Sequence, residues 1–268
     1  KGDKIVGMNQ AAVDGTVANL QQVVYPASWA EAAEASQQVK DEPGYVKNIL
    51  RPIAALQGEK LPVSIFTPDG ILPMSGSQYE KRGVAIMIPE FVKENCIQCN
   101  QCAFVCPHAA IRPYLLTSEE VEKAPAGMGV LPAIGNKELA GLYFRIQVSP
   151  LDCMGCGCCA AVCPAKQKAL VMKPLDTQRA AELPHHAYLA KLPVRGDLMN
   201  PESVKGSQFR QPLLEFSGAC AGCGETPYTK LLTQLFGDRM VIGNATGCSS
   251  IRGGSPPAIP YCVNAKGQ

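Results

Sequence analysis

Two stretches rich in cysteine decide how this chain folds: CIQCNQCAFVCP, Cys96–Pro107, and CMGCGCCAAVCP, Cys153–Pro164. Each sets four thiols at the spacing Cys-x2-Cys-x2-Cys-x3-Cys and closes on a proline. The chain holds 13 cysteines in 268 residues, an odd number, and most crowd into these two runs. Disulfide scaffolds spread their cysteines through small secreted domains. Crowding of this kind predicts metal ligation in a reducing compartment instead. Structural zinc prefers two separated Cys-x2-Cys knuckles, and two compact runs of four fit that poorly.

The spacing is that of bacterial ferredoxins. Three thiolates on a tight loop reach three irons of one cubane. The fourth, just beyond and expected at the start of a helix, points elsewhere and in two-cluster ferredoxins ligates the other cluster. The expected assignment is therefore crossed. Cys96, Cys99, Cys102 and Cys163 hold one [4Fe-4S] cluster; Cys153, Cys156, Cys159 and Cys106 hold the second. Gly155, Gly157, Ala160 and Ala161 are small enough for backbone amides to approach the sulfides. Cys158 lies out of register and reads as a spectator thiol. His108, His185 and His186 read as surface or packing residues rather than ligands.

Outward from the runs, the texture is α+β or α/β. A net charge of +2 gives no sign of nucleic acid or an anionic membrane as partner. No apolar run approaches the length of a membrane span. The opening KGDKIVGMNQ lacks the pattern of a signal peptide, and it lacks an initiator Met, so the gene product is expected to start upstream. Val23–Tyr25 reads as a short strand and residues 28–40 as a helix with a Ser28/Glu31 capping box. Residues 63–67 read as a strand, as do Val84–Ile88, LYFRIQV (142–148) and KALVMKPL (168–175). Thr117–Lys123 reads as an acidic helical patch. Residues 174–212 show no clear period and read as an extended connector. After the apolar LLEF (213–216), Thr226 is the expected N-cap of a helix with Pro227 at its first position and Gly237 as its stop. Leu231, Leu232, Leu235 and Phe236 share one face. MVIGNATGCSS (240–250) reads as a strand and a small-residue turn.

GACAGCGETPY (218–228) adds an incomplete pair, Cys220 and Cys223. A redox dithiol, half a zinc site and two ligands of a third cluster are all open on residues alone. Cys248 and Cys262 follow downstream. Two small-residue turns at the ends of strands would mark a ligand crevice. Glu225, taken alone, is an acidic residue at a helix start.

The order YEKRGVAIMIPEF, double cysteine run, FSGACAGCGETPYTKLLTQLFGDRM and NATGCSSIRGG resembles pyruvate:ferredoxin (flavodoxin) oxidoreductases across essentially the whole chain. The resemblance implies a multidomain α/β architecture. Residues 1–60 would end an α/β catalytic domain, 61–90 would be a linker marked by Glu80-Lys81-Arg82, and 91–174 a ferredoxin-like 2[4Fe-4S] domain. Residues 175–212 would be a connector and 213–268 the start of a thiamine-diphosphate-binding domain. It implies a third [4Fe-4S] cluster on Cys220, Cys223 and Cys248, its fourth ligand beyond Gln268, with Cys262 not a ligand. Glu225 and Cys248 would also contact thiamine diphosphate. The implied activity is cytoplasmic oxidative decarboxylation of pyruvate to acetyl-CoA and CO2. Coenzyme A is co-substrate, ferredoxin or flavodoxin the acceptor, and the full-length enzyme a homodimer. Two departures stand out. The Gly-Asp-Gly motif for diphosphate and Mg2+ is absent, and Arg252 and Cys262 stand where an aromatic and a small polar residue are expected. The alternative is a two-cluster ferredoxin-type electron-transfer subunit, which has no need of residues 213–254.

Overall fold

A computed structural model describes residues 2–31, 42–254 and 257–267. The chain divides into two units, 1–42 and 43–268. In the first, α1 (Asp3–Asp14) buries none of its residues. The strand expected at Val23–Tyr25 does not form: Val23 and Val24 are exposed, and among the described residues no neighbouring strand satisfies their backbone. Of the helix expected over 28–40, only Ala27–Glu31 is described, as a 3-10 turn. The remainder lies outside the described residues.

The second unit opens with a π-turn (Val46–Leu50) running into α2 (Arg51–Ala54). The strand expected at 63–67 is a 3-10 turn, Val63–Ile65, with Val63 exposed. Among the described residues five strands follow: β1 (Met87–Phe91), β2 (Ile111–Leu116), β3 (Leu131–Pro132), β4 (Tyr143–Val148) and β5 (Leu170–Pro174). The first of these begins three residues later than Val84, the start expected from the apolar run. It pairs antiparallel with the last, Met87 opposite Pro174 and Phe91 opposite Leu170. The other three form a sheet in the order β2-β4-β3. Alternate residues of β2 and β4, with Leu139, Leu170 and Phe209, build the core. Phe144 meets Phe209 edge-on at 6.3 Å.

Two short helices, α3 (Gln101–Phe104) and α5 (Cys158–Val162), each follow a cysteine loop. Between them α4 (Ser118–Glu122) starts with a complete capping box, Thr117 with Glu120. The connector expected over 174–212 is largely structured. It contains α6 (Leu175–Leu189), despite Pro184 inside it, and α7 (Val204–Ser207). Tertiary anchors override the poor propensity. Glu182 on α6 receives Arg145 of β4 at 2.9 Å, with Arg145 4% exposed, and Leu189 is fully buried.

The last stretch holds α8 (Thr226–Phe236) and α9 (Cys248–Gly254). Glu225, one residue before Thr226, is the N-cap, and Gly237 is the stop. The apolar 213–216 forms a single bridge, Leu214 with Tyr261, and 240–243 forms no strand. Sheet partners are missing from both segments among the described residues, so neither develops a ladder. α8 buries its polar residues Lys230, Thr233 and Gln234, while Tyr228, Leu232 and Phe236 face outward.

Candidate metal centres

The two cysteine runs fold as copies of one another. In each, the amide two residues past the first cysteine donates to its sulfur: Gln98 N to Cys96 Sγ at 3.4 Å, and Gly155 N to Cys153 Sγ at 3.5 Å. In each, the second and fourth residues after that cysteine take positive φ: Gln98 and Asn100 in the first run, Gly155 and Gly157 in the second. Glycine adopts that region freely. At Gly155 it is also obligatory, since a Cβ would stand 2.8 Å from the Met87 carbonyl. The first run uses Gln and Asn, whose side chains are fastened. Gln98 donates to Pro132 O at 2.8 Å and accepts from Ile134 N at 2.9 Å; Asn100 donates to Lys205 O at 2.9 Å.

Cys96, Cys99, Cys102 and Cys163 line one cavity, with Phe91, Ile146 and Leu170 among its walls. Cys106, Cys153, Cys156 and Cys159 line another, and Cys158 borders it as well. Each cavity thus takes three thiols from one run and the last thiol of the other. Burial, and then the neighbouring thiols, push Cys102 and Cys159 far up and Cys153 up to about 12. Neutral thiols are what such a pocket tolerates when bare. A metal cation displaces those protons outright. Among the described residues no group of His, Cys, Asp or Glu is drawn tightly enough for a single metal ion. Tetrahedral zinc would need sulfurs about 3.8 Å apart, given Zn–S bonds of about 2.3 Å. Four thiolates around each cavity are the donor set of a [4Fe-4S] cluster.

Cys220 and Cys223 share one turn, closed by Cys223 N donating to Cys220 O at 3.1 Å. Burial opposes ionisation of Cys223, but it is outweighed. The amide and side chain of Thr226, the Glu225 amide and the charge of Arg252 hold this thiol below its usual range. Cys248 starts α9, whose Arg252 reaches back to Glu225 Oε1 at 3.0 Å and Thr229 Oγ1 at 3.1 Å. That ion pair ties the two segments carrying the three cysteines. Cys262 is buried elsewhere, bonded to Pro212 O at 3.4 Å, and desolvation pushes it up to about 12.

His108 is 3% exposed and lies within hydrogen-bond distance of Ser217 O and Cys220 O, a packing role. His185 is buried near Ala126 O, and burial with the charges of Lys81 and Arg112 depresses His186 to about 3. Sequence reasoning missed Lys230. It is 2% exposed and donates to the carbonyls of Ala103, Phe104 and Cys106 at the end of α3. A single lysine in an amphipathic helix carries no signal of such burial.

Residues 31–85 match EKR, described as a domain of unknown function, and residues 95–167 match a 4Fe-4S dicluster domain. The whole chain is 62% identical to a pyruvate:ferredoxin oxidoreductase of Moorella thermoacetica and 53% identical to a pyruvate-flavodoxin oxidoreductase of Enterobacter agglomerans. It covers 23% of the length of each of these relatives. It is also 49% identical to a mitochondrial pyruvate dehydrogenase [NADP(+)] of Euglena gracilis, of which it covers 15%. These matches run through residues 213–268, which a plain two-cluster carrier does not need. Over its whole length the chain is similar to a segment of pyruvate:ferredoxin and pyruvate-flavodoxin oxidoreductases, and it carries a 4Fe-4S dicluster domain at its centre.

Proposed function

We propose that this chain is the electron-relay segment of a thiamine-diphosphate-dependent pyruvate:ferredoxin or pyruvate:flavodoxin oxidoreductase. The observation that carries the reading is the gathering of eight cysteines around two cavities, three from one run and one from the other at each. Cys96, Cys99, Cys102 and Cys163 would hold one [4Fe-4S] cluster, and Cys153, Cys156, Cys159 and Cys106 the other. Cys220, Cys223 and Cys248 would supply three ligands of a third, with the fourth outside this chain. Glu225 and Cys248 would border thiamine diphosphate, which as an electron sink supplies the means to decarboxylate a 2-oxoacid. The Mg2+ ligands would lie outside the chain, in the remainder of a thiamine-binding α/β domain that residues 213–268 begin. Residues 1–60 would close a preceding α/β domain.

The whole enzyme would convert pyruvate and coenzyme A to acetyl-CoA and CO2 in the cytoplasm, as a homodimer. Two electrons would leave one at a time for ferredoxin or flavodoxin. This chain's own part is to hold the relay in register, exclude water from buried sulfur and set potentials through amides such as Gln98 N and Gly155 N. No described helix is long and apolar enough to cross a membrane.

Iron and acid-labile sulfide analysis with low-temperature EPR on anaerobic full-length enzyme tests the reading. About twelve irons per chain, with three interacting cubanes after dithionite reduction, is the expected result. About eight irons with only a coupled pair would remove the third cluster and restore the simple carrier.

A further inference from the structure

Glu80-Lys81-Arg82 lies between the second cysteine run and the turn that carries Cys220. Lys81 forms an ion pair with Asp152, the residue before Cys153, and the Asp152 side chain is 3% exposed. Ser149 Oγ donates to the same carboxylate oxygen at 2.5 Å. Gly83 N donates to Leu151 O at 2.8 Å, so the triplet's exit is bonded to the same loop. Its other side faces residues 215–218. Lys81 Nζ stands 4.5 Å from the centre of the Phe216 ring. Phe216 takes a positive φ of 51°, a conformation costly for a bulky side chain and held only where the surroundings impose it. Arg82, paired with Glu80, lies against Gly218, where a Cβ would be 3.2 Å from Nη1. Three residues upstream of Glu80, Ser77 Oγ donates to Glu215 O at 2.8 Å. The consequence is visible at Gly222, between Cys220 and Cys223. A Cβ there would touch Cys156 Cβ at 3.7 Å and Cys158 Sγ at 3.8 Å.

We propose that the Glu80-Lys81-Arg82 triplet is a clasp that fixes the Cys220–Cys223 turn against the Cys153–Cys159 loop. It thereby sets the gap that an electron must cross between the third cluster and the second. Its members are positioning residues, and this gives the segment matched by the EKR model a task. Lys81 is central because one ammonium joins both sides: a buried carboxylate on the cluster loop and an aromatic face on the turn. The inference rests on the third-cluster reading above.

The test uses anaerobic full-length enzyme as wild type, Lys81→Met, Lys81→Arg and Asp152→Asn. Iron is counted first; EPR of reduced samples then reads the magnetic interaction among clusters. Hydrogen–deuterium exchange reads residues 215–222. The clasp predicts that Lys81→Met and Asp152→Asn weaken the interaction with the third cluster and speed exchange in that segment roughly tenfold. Lys81→Arg, which keeps the charge, recovers most of both. If all proteins hold about twelve irons and neither readout moves, the clasp is overturned while the third cluster stands. A wild type with about eight irons overturns the reading beneath it, and the clasp with it. Should Lys81→Met fail to fold, the shape-conserving Asp152→Asn decides.

Discussion

Cys163 sits in the second run, yet its thiol closes the cavity of the first. The crossing makes a sharp prediction at the level of one atom. Cys163→Ser and Cys102→Ser are expected to lose the same cluster and leave the same residual EPR spectrum, each with about four fewer irons. Uncrossed ligation would instead make Cys163→Ser match Cys159→Ser. His186 makes a prediction with a sign. Its imidazole is held neutral in the fold, with its pKa depressed to about 3 by burial and by the charges of Lys81 and Arg112. The unfolded chain binds a proton near pH 6.5, so below that value unfolding takes up a proton that the native state refuses. Stability is full above pH 6.5 and falls by about 1.4 kcal/mol for each unit toward pH 3. Thermal unfolding at pH 7.5 and 5.5 should therefore show a smaller acid loss in His186→Gln than in the wild type.

Among the elements, α8 shows how a helix can be docked by charge. Lys230 fastens it to the end of α3, and Thr233 accepts from Leu213 N at 3.2 Å. Lys230→Met would remove the donor that the Ala103, Phe104 and Cys106 carbonyls share, leaving Ala103 O its bond from Cys106 N, and should cost roughly 1–3 kcal/mol, read as a lower unfolding midpoint of the holoprotein. The cysteine loops were legible in the sequence, because ligand geometry dictates them, but their helices were misplaced: a helix was expected to start at the fourth cysteine, whereas α3 ends before Cys106 and α5 ends at Val162 with Cys163 as its cap. Also legible were β4, whose run LYFRIQV is continuously apolar but for Arg145 and Gln147, and α4, whose capping box is local. α6 was not. Its polar surface and Pro184 hide a helix held by Arg145 and Leu189, contacts that no local pattern announces. The supposed strands at 23–25, 63–67 and 240–243 failed for the opposite reason. Apolar β-branched residues are there, but among the described residues the partners a strand needs are not. At the candidate site the cysteines were readable as letters. The clasp and Lys230 were not, since their partners lie far away in sequence.

At the scale of the molecule, Tyr228, Leu232 and Phe236 form an outward apolar stripe on α8, and Val241 beyond it is almost fully exposed. Contiguous apolar patches of this kind are interaction surfaces or aggregation hazards. The 268-residue chain prepared alone should self-associate in light scattering, and the pair Leu232→Glu and Phe236→Lys should restore a monodisperse species. The same substitutions in full-length enzyme should lower its yield, because there the stripe is expected to be covered. A different consequence follows from the pairing of β1 with β5. The strand that opens the cluster domain finds its partner only after both cysteine runs have been made. Such long-range closure is slow and comes late. During synthesis on the ribosome the first four thiols would wait, unfastened and open to oxidation, until Pro174 emerges. Iron delivery to this protein would then be timed by translation itself.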